Sequence, residues 1–269
     1  MKEKLQDLLL QSLIDQKEIF GDELFEAKNL KRRTSVEFDT HTGRSEEVQA
    51  QKEIISAKSL SSKKEIIKEI PLIEEPKESW QVSNSLDELN QLICECQKCP
   101  LGRTRNKFVF GSGNPNADVL VIGEGPGADE DAQGLPFVGR AGKLLTDILK
   151  AINFSREEVY IANIVKCRPP GNRTPLPAEM QSCLPYLKKQ IELIKPKAIL
   201  CLGLTSAHGL LKKKESLTNM RGKVFDFDKT KVMVTYHPAA LLRNPNWKRG
   251  CWEDVQLFRK LYDELTNIK

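Results

Sequence analysis

The sequence predicts an α/β protein, with a three-layer α/β/α sandwich on a four-stranded parallel sheet behind a mostly disordered N-terminal extension. Short continuous apolar runs recur four times after residue 117, and such runs are typical of strands buried on both faces of a parallel sheet. Helical patterns separate the runs, and this alternation favours right-handed crossovers between parallel strands. The composition changes near residue 85, which divides the chain into an extension, residues 1–85, and a folded domain, residues 86–269.

The N-terminal extension combines a short helical pattern with a charged linker. Within residues 1–30 the apolar side chains are spaced for one helix face, at Leu5, Leu8, Leu9, Leu13 and Ile14. From about residue 31 to residue 77 Lys, Glu, Ser and Thr dominate. Because such a stretch buries too little apolar surface to offset its ordering entropy, we expect a disordered linker. The helix either docks on a partner protein or is a marginal helix without a specific role.

Strands and helices alternate through the predicted domain. The strands are expected at residues 118–122, 159–165, 198–203 and 231–236. The helices are expected at about residues 86–94, 141–152, 178–194, 205–211 and 252–267. Pro185 falls inside the third helical pattern, where it should kink the helix or mark its true start. Ligands bind beyond the carboxyl ends of the strands in such sheets, so the residues that follow the strands are the functional candidates.

Charge and composition limit the class of protein and its partners. Residues 1–85 hold 14 Lys and Arg against 17 Asp and Glu, whereas residues 86–269 hold 28 against 20. A basic domain favours a polyanion such as nucleic acid, although a generally solvated basic surface has the same charge. No apolar stretch approaches the roughly 20 residues of a membrane span. The N-terminus does not fit a signal peptide, and seven cysteines suit a reducing compartment, so we expect a cytoplasmic protein. We also expect a monomer.

Four cysteines are spaced for a metal site. Cys96 and Cys99 form a C-x-x-C pair, and Cys167 and Cys183 bracket a segment rich in proline and positive charge. Four thiolates suit either an iron–sulfur cluster or structural zinc, and the spacing alone does not separate the two. The alternative is that all four are ordinary buried cysteines, which are common small core residues.

Two glycine-rich loops follow the first predicted strand. Residues 123–127 read Gly-Glu-Gly-Pro-Gly, and residues 134–142 carry Phe137 close to proline and glycine. Glycine lets a backbone approach a ligand closely, but the acids at residues 129–131 would repel a phosphate. Phe137 is either a stacking platform for a nucleobase, which is worth about 1–3 kcal/mol per base, or a core residue.

Two other strand ends carry candidate side chains. Asn163 lies in the second predicted strand, and its amide offers one donor and one acceptor, as reading a pyrimidine edge requires. His237 ends the fourth strand and is held in a turn by Pro238. Leu241 and Leu242 follow, and an apolar pair in a loop is either buried or used as a wedge that opens a base stack.

Residues 86–269 resemble the iron–sulfur uracil-DNA glycosylases, usually called family 4. The resemblance rests on six segments in order: the cysteine pair at 96–99, Gly-Glu-Gly-Pro-Gly with its acidic tail at 123–131, Leu-Pro-Phe-Val-Gly-Arg-Ala-Gly at 135–142, Asn-Ile-Val-Lys-Cys-Arg-Pro-Pro-Gly-Asn-Arg at 163–173, Cys183, and Tyr-His-Pro-Ala-Ala-Leu-Leu-Arg at 236–243. Gly125 departs from the pattern, since the family more often has alanine there. Residues 1–85 lie outside the resemblance.

The resemblance implies an activity and roles for individual residues. It implies an enzyme that flips uracil out of single- or double-stranded DNA and hydrolyses its N-glycosidic bond, leaving an abasic site. It also implies a [4Fe-4S] cluster held by Cys96, Cys99, Cys167 and Cys183. Phe137 would stack on uracil and Asn163 would read its edge. His237 would lie against the leaving base, and Leu241 would be the wedge.

The chemistry of bond cleavage adds further candidates. Negative charge develops on the departing base, so donors are needed there, and the backbone of the loop around Gly123 and Gly125 can supply them beside His237. Glu124 or Glu130 is expected to stabilise the sugar cation or orient the water, and the sequence does not say which. Contacts to DNA phosphates are expected from Lys166, Arg168, Arg173 and Arg243. Cys94, Cys201 and Cys251 are assigned to packing.

Two alternative functions stay open from the sequence. One is a non-catalytic, metal-containing nucleic-acid-binding module on the same fold, which would bind DNA without releasing a base. The other is a glycosylase for other damaged bases, although Glu124 favours the uracil-excising type. Because hydrolysis requires no redox step, we expect the cluster to be structural and to clamp the segment between Cys167 and Cys183 onto the first cysteine pair.

Overall fold

Residues 78–267 are described by the computed structural model. The predicted helix within residues 1–30 and the predicted linker up to residue 77 lie outside the described residues. Ahead of residue 86 the chain forms a short 3-10 helix, Ser79–Val82, whose Trp80 is buried. Trp80 packs edge-on against Tyr186, with ring centroids 4.8 Å apart, so residues just before the predicted domain boundary contribute to the core.

Six strands form the sheet in the described part of the chain. They are β1 (Ser112–Gly113), β2 (Val119–Gly123), β3 (Tyr160–Asn163), β4 (Ala198–Leu202), β5 (Val224–Phe227) and β6 (Thr230–Thr235). Their spatial order is β1-β3-β2-β4-β6-β5. The four predicted strands are confirmed as the parallel centre of the sheet, β3-β2-β4-β6. The predicted number of strands is wrong, because antiparallel β1 and β5 extend both edges.

The helices cover both faces of the sheet. They are α1 (Leu86–Ile93), α2 (Ala128–Gln133), α3 (Arg140–Ala151), α4 (Pro177–Ile194), α5 (Leu204–Leu211), α6 (Leu217–Met220), α7 (Pro238–Arg243) and α8 (Lys248–Thr266). The five predicted helices are confirmed as α1, α3, α4, α5 and α8. Helix α4 runs through Pro185, which therefore does not mark its start.

Two apolar clusters make the sandwich three layers thick. Alternate residues of β2 enter different clusters, because successive side chains of a strand point to opposite faces. Leu120 packs with α1, α4 and α5 on one face, and Val121 packs with α3 and α8 on the other. This confirms the predicted α/β/α architecture. None of the helices between residues 78 and 267 combines the length and apolarity that a bilayer crossing demands.

The carboxyl ends of the central strands meet at one edge of the sheet. Gly123 at the end of β2 pairs with Asn163 at the end of β3. After β4, the Gly203 N–H donates to the Thr235 carbonyl at the end of β6, over 2.8 Å. The loops that leave these four strand ends therefore lie side by side, where ligands bind in parallel sheets.

Candidate active site

A cavity of about 400 Å³ lies at this carboxyl edge. Its lining includes Glu124, Gly125, Glu130, Phe137, Asn163, His237 and Arg243. The structure thus brings together most of the predicted catalytic and substrate-binding residues. A larger cleft of about 1250 Å³ lies near Pro196 and Thr230, at the opposite ends of β4 and β6, and contains none of the predicted site residues.

Asn163 presents an unused acceptor at the cavity. The residue is 2% exposed, and its Oδ1 atom has no hydrogen-bond partner among the described residues. A buried polar atom without a partner is costly, by about 1–3 kcal/mol, and such atoms are rare in folded proteins. Position 123 must be glycine for this arrangement, because a Cβ there would lie 2.4 Å from Asn163 Oδ1 and 2.6 Å from the Phe137 ring. The amide and the ring therefore meet at the end of β2.

Phe137 is a wall of the cavity and is also tied into the core. Its side chain is 7% exposed, and its ring centroid lies 5.6 Å from that of His237. Its backbone adopts a left-handed φ of 53°, which is uncommon for a bulky residue. The first turn of α3 packs directly on that backbone, since a Cβ on Gly142 would lie 1.9 Å from the Phe137 carbonyl oxygen. Phe137 therefore fits both interpretations: its ring lines the cavity, and the residue also packs in the core.

His237 is held as a neutral imidazole. It is the N-cap residue of α7, and its Nδ1 accepts a hydrogen bond from the Ala239 N–H at 3.2 Å. Burial lowers the pKa of His237 to about 4, and the nearby Arg243 lowers it further, whereas Glu130 acts in the opposite direction. A neutral ring that accepts at Nδ1 carries its proton on Nε2. His237 is therefore a hydrogen-bond donor at neutral pH.

The two candidate carboxylates have different environments. Glu130 accepts three backbone hydrogen bonds, from Gly127 at 3.1 Å, Val138 at 2.9 Å and Gly139 at 3.0 Å. It thereby joins the two glycine-rich loops and occupies most of its acceptor positions. The Glu124 carboxylate lines the cavity, and no described residue hydrogen-bonds to it. Both Glu124 oxygens are therefore available to a water molecule, whereas each Glu130 oxygen already accepts at least one backbone hydrogen bond.

The neighbouring acid is structural as well. Asp131 is 1% exposed and accepts hydrogen bonds from the backbone and side chain of Asn106, both at 2.8 Å. It also accepts from the Lys107 N–H at 3.3 Å. Glu130 and Asp131 of the acidic tail thus fix the surrounding backbone, and Asp129 is the one exposed acid of the three.

The structure corrects the predicted wedge. Leu241 is fully buried in the core, whereas Leu242 is 46% exposed. Both belong to α7, which turns one leucine inward and the next outward. A side chain that enters a base stack must be exposed, so Leu242 is the candidate at this position and Leu241 is a packing residue. Arg243 is exposed at the end of the same helix and borders the cavity.

Lys166 is a second correction, because it is wholly buried and does not face DNA. Its Nζ donates to the Asn163 carbonyl at 3.0 Å and to Gln190 Oε1 at 2.6 Å, and Gln190 Nε2 donates to the Phe110 carbonyl at 3.0 Å. Burial lowers its pKa to about 8, and Cys183 and Cys167 oppose that change. Lys166 therefore connects the strand end that carries Asn163 to α4 and to two of the cysteines.

Two of the other predicted phosphate contacts, Arg168 and Arg173, form hydrogen bonds within the segment that follows β3. Arg173 forms a two-pronged ion pair with Glu179, at 2.7 and 2.8 Å, and Glu179 also caps the start of α4 through the Leu176 N–H. Arg168 donates from Nε to Asn172 Oδ1 at 2.8 Å. Both arginines stabilise the segment between Cys167 and Cys183. Among the four predicted phosphate contacts, Arg243 is the one without a hydrogen-bond or ion-pair partner among the described residues.

Both cysteine segments meet at one place. All seven cysteines are free thiols. Burial raises the pKa of Cys167 to about 11, and neighbouring Cys99 and Cys96 raise it further, whereas Arg105 lowers it. Burial likewise raises the pKa of Cys183 to about 12, with Cys167 and Cys99 adding to the rise and Lys166 opposing it. Cys167 therefore lies near the other three predicted ligands, and Cys183 lies near Cys99.

Two residues that the sequence did not single out complete this cluster. Arg105 Nη1 donates to the Cys96 carbonyl at 2.6 Å and lies 3.4 Å from Cys167 Sγ, so it joins the two segments. The Tyr186 hydroxyl donates to Cys96 Sγ at 3.3 Å. Arg105 follows the C-x-x-C pair closely in sequence, which was the available signal. Donors aimed at sulfur stabilise thiolates that bind a metal.

The four thiols do not form a ready-made site for a single metal ion. Between residues 78 and 267 no three His, Cys, Asp or Glu side chains converge closely enough to bind one metal ion.

Comparison with known proteins identifies the class. The sequence pattern of the uracil DNA glycosylase superfamily matches residues 110–262, and the chain belongs to that superfamily.

Individual relatives specify the family. A type-4 uracil-DNA glycosylase of Archaeoglobus fulgidus is 44% identical over 185 residues, which cover 66% of this chain and 93% of the relative. A type-4 uracil-DNA glycosylase of Thermotoga maritima is 46% identical over 178 residues, covering 63% of this chain and 93% of the relative. A type-5 uracil-DNA glycosylase of Pyrobaculum aerophilum is 32% identical over 188 residues, covering 58% and 82%. Within the superfamily the chain belongs to the type-4 family, whose members are enzymes that act on N-glycosyl bonds.

Proposed function

We propose that residues 86–269 release uracil from single- or double-stranded DNA by flipping the nucleotide out and hydrolysing its N-glycosidic bond, which leaves an abasic site. The observation that carries this proposal is the unpaired Asn163 Oδ1, buried beside the Phe137 ring and the neutral His237 in a cavity at the carboxyl edge of the sheet. Family membership supports the same reaction.

Uracil is the base that the cavity suits. Stacked on Phe137, its N3–H would donate to the free Asn163 Oδ1, while the Asn163 amide group donates to a base carbonyl oxygen. Cytosine has no N3–H, so the buried acceptor would stay unpaired, at a cost of about 1–3 kcal/mol. Asn163 therefore contributes selectivity mainly by its buried, otherwise unsatisfied oxygen.

The leaving group is stabilised by neutral donors. As the glycosidic bond breaks, electrons move onto the base, and the His237 Nε2–H donates to the base oxygen on which negative charge develops. The Gly125 N–H, which donates to no acceptor among the described residues, is a second donor in the same loop. Because the ring stays neutral, His237 acts by donating a hydrogen bond and does not need to transfer a proton.

Water attack is assigned to Glu124. Its free carboxylate orients the water towards the sugar carbon and accepts the proton that the water loses, whereas Glu130 keeps the two loops joined. The departing base must leave the stack, at a cost of a few kcal/mol, so single-stranded uracil is the easier substrate. In a duplex Leu242 enters the vacated space and Arg243 contacts a phosphate.

A [4Fe-4S] cluster is the metal group proposed for the four cysteines, and membership of the type-4 family supports it. Cys96, Cys99, Cys167 and Cys183 would bind it, and its bonds would cross-link the two segments without taking part in hydrolysis. Replacing Cys167 by Ala should lose the iron and the order of the loop together. Full activity and an intact fold in the iron-free variant would contradict the structural role.

Uracil release from a labelled single-stranded oligonucleotide tests the proposal, with a thymine oligonucleotide and His237→Ala as controls. Glu124→Gln and Glu130→Gln form a contrasting pair. We expect Glu124→Gln to lose activity at unchanged melting temperature and Glu130→Gln to lower the melting temperature. DNA binding without base release by an iron-containing wild-type protein would overturn the proposal and favour the non-catalytic module.

A further inference from the structure

Arg221 and Trp247 both pack on the Tyr236 ring, which is next in sequence to the cavity residue His237. The Arg221 guanidinium lies 4.1 Å from the centre of the Tyr236 ring. The Tyr236 ring also packs on Trp247, with centroids 5.1 Å apart and planes inclined by 18°. Tyr236 immediately precedes His237 in the chain, so the stack starts one residue from the cavity wall.

The inner end of the stack is fixed to the core. Arg221 Nε pairs with the carboxylate of Asp254 at 2.6 Å, and Asp254 is 3% exposed. The Thr235 hydroxyl donates to the same carboxylate oxygen at 2.7 Å, and Arg221 Nη1 donates to the Tyr236 hydroxyl at 2.9 Å. The orientation of the Tyr236 ring is therefore determined by groups anchored on β6 and α8.

The outer end of the stack is open to solvent. Trp247 is 42% exposed, although it stands on a rigid support at the junction of the 3-10 helix Pro245–Trp247 and α8. Around it the surface is basic and apolar. Leu242 is exposed, and neither Arg243 nor Lys248 has a hydrogen-bond or ion-pair partner among the described residues. A large exposed aromatic face among free cations is the combination that binds single-stranded nucleic acid.

We propose that Trp247 stacks on the base next to the flipped uracil in the same DNA strand. The inference rests on the proposed uracil release. The ligand is an unpaired nucleobase of any sequence, because every base offers a π-face and the indole offers no base-specific hydrogen-bond pattern. The base becomes the fourth layer on Arg221, Tyr236 and Trp247, while Arg243 and Lys248 contact the flanking phosphates. Trp247 thereby binds the strand while His237 and Glu124 act on the target.

The test combines Trp247→Ala with a change in the DNA. Steady-state uracil release is measured on a single-stranded oligonucleotide with normal flanking bases and on one with abasic analogues on both sides of the uracil. With normal flanks we expect Trp247→Ala to raise KM about 5- to 100-fold at unchanged kcat. Trp247→Phe should recover most of the loss. With abasic flanks the wild-type protein and Trp247→Ala should have the same KM.

Control measurements separate stacking from a structural effect. Leu257→Ala removes a similarly exposed apolar side chain about 15 Å further along α8 and should leave KM unchanged. An equal loss on both substrates, a loss confined to kcat, or no change in KM would overturn the inference. Fluorescence polarisation with a uracil-free single strand is independent of catalysis. Weaker binding by Trp247→Ala would support the platform even if uracil release failed, and unchanged binding would refute it.

Discussion

Replacing Gly123 by alanine tests how the cavity is assembled. A Cβ at this position would lie 2.4 Å from Asn163 Oδ1 and 2.6 and 2.7 Å from two Phe137 ring atoms, whereas ordinary contact begins near 3.4 Å. The amide must therefore retreat by about 1 Å. Asn163 and Phe137 are both buried and both line the cavity, so their retreat displaces the groups that would contact the base.

The expected loss follows from that displacement. A misplacement of about 1 Å in positioning groups lowers a rate by about 100-fold, and overpacking costs about 1–3 kcal/mol. Gly123→Ala should therefore reduce kcat/KM for uracil release at least about 100-fold. It should lower the melting temperature by roughly 2–12 °C for a domain of this size.

Gly125→Ala is the control in the same loop. A Cβ there would meet a single close atom, the Val165 Cγ2 methyl at 2.7 Å, and its next neighbour is 3.8 Å away. Rotation of one methyl-bearing side chain relieves that contact, so activity should stay within about 3-fold of wild type. Single-turnover uracil release and thermal unfolding measure both variants. If Gly123→Ala also stayed within about 3-fold, the steric reasoning would be refuted.

Three further predictions concern buried groups. Lys166→Met leaves the Asn163 carbonyl and Gln190 Oε1 unpaired, and urea unfolding should show a loss of stability of about 1–3 kcal/mol per unpaired group. The exposed control Lys197→Met should change stability by under about 0.5 kcal/mol. Equal effects of the two variants would refute the bridging role of Lys166. Leu241→Ala should lower the free energy of unfolding by about 2–5 kcal/mol. Leu242→Ala should leave stability unchanged and slow uracil release from duplex DNA. The reverse pattern would restore Leu241 as the wedge. The folded pKa of His237 is about 4, below its ordinary 6.5, so between these values the unfolded chain binds a proton that the folded chain does not. Lowering the pH from 7 to 5 should therefore reduce wild-type stability, relative to His237→Ala, by on the order of 2 kcal/mol, while activity is retained. Parallel stability profiles of the two proteins would contradict this prediction.

The central strands were predictable because each is buried on both faces. A continuous apolar run leaves little choice of structure. The predicted strand 118–122 is shifted by one residue from β2, and the predicted strand 198–203 is one residue longer than β4. The edge strands had weaker signals. Strand β1 contains two residues, and β5 alternates half-buried Phe225 and Phe227 with exposed neighbours in a hairpin that turns at Asp228.

The sequence predicted which residues lie at the site better than it predicted what each side chain contacts. Residue type and position after a strand selected Phe137, Asn163 and His237, and the structure places all three on one cavity. The direction of a side chain depends on the register of a short helix or on tertiary packing. For that reason the sequence alone did not distinguish Leu241 from Leu242, and it gave no sign that Lys166 turns inward.

The backbone of Phe137 has a consequence for directed evolution. A left-handed residue with a bulky side chain stores about 1–3 kcal/mol of strain, whereas glycine or asparagine adopts the same geometry with little or none. The ring also belongs to a buried apolar cluster, and truncating a buried phenylalanine costs about 3–5 kcal/mol. Packing therefore outweighs the strain, and selection for heat resistance alone would keep the ring on which the base is proposed to stack. A library built for thermostability can therefore leave residue 137 open, because stability and the proposed base stacking favour the same side chain.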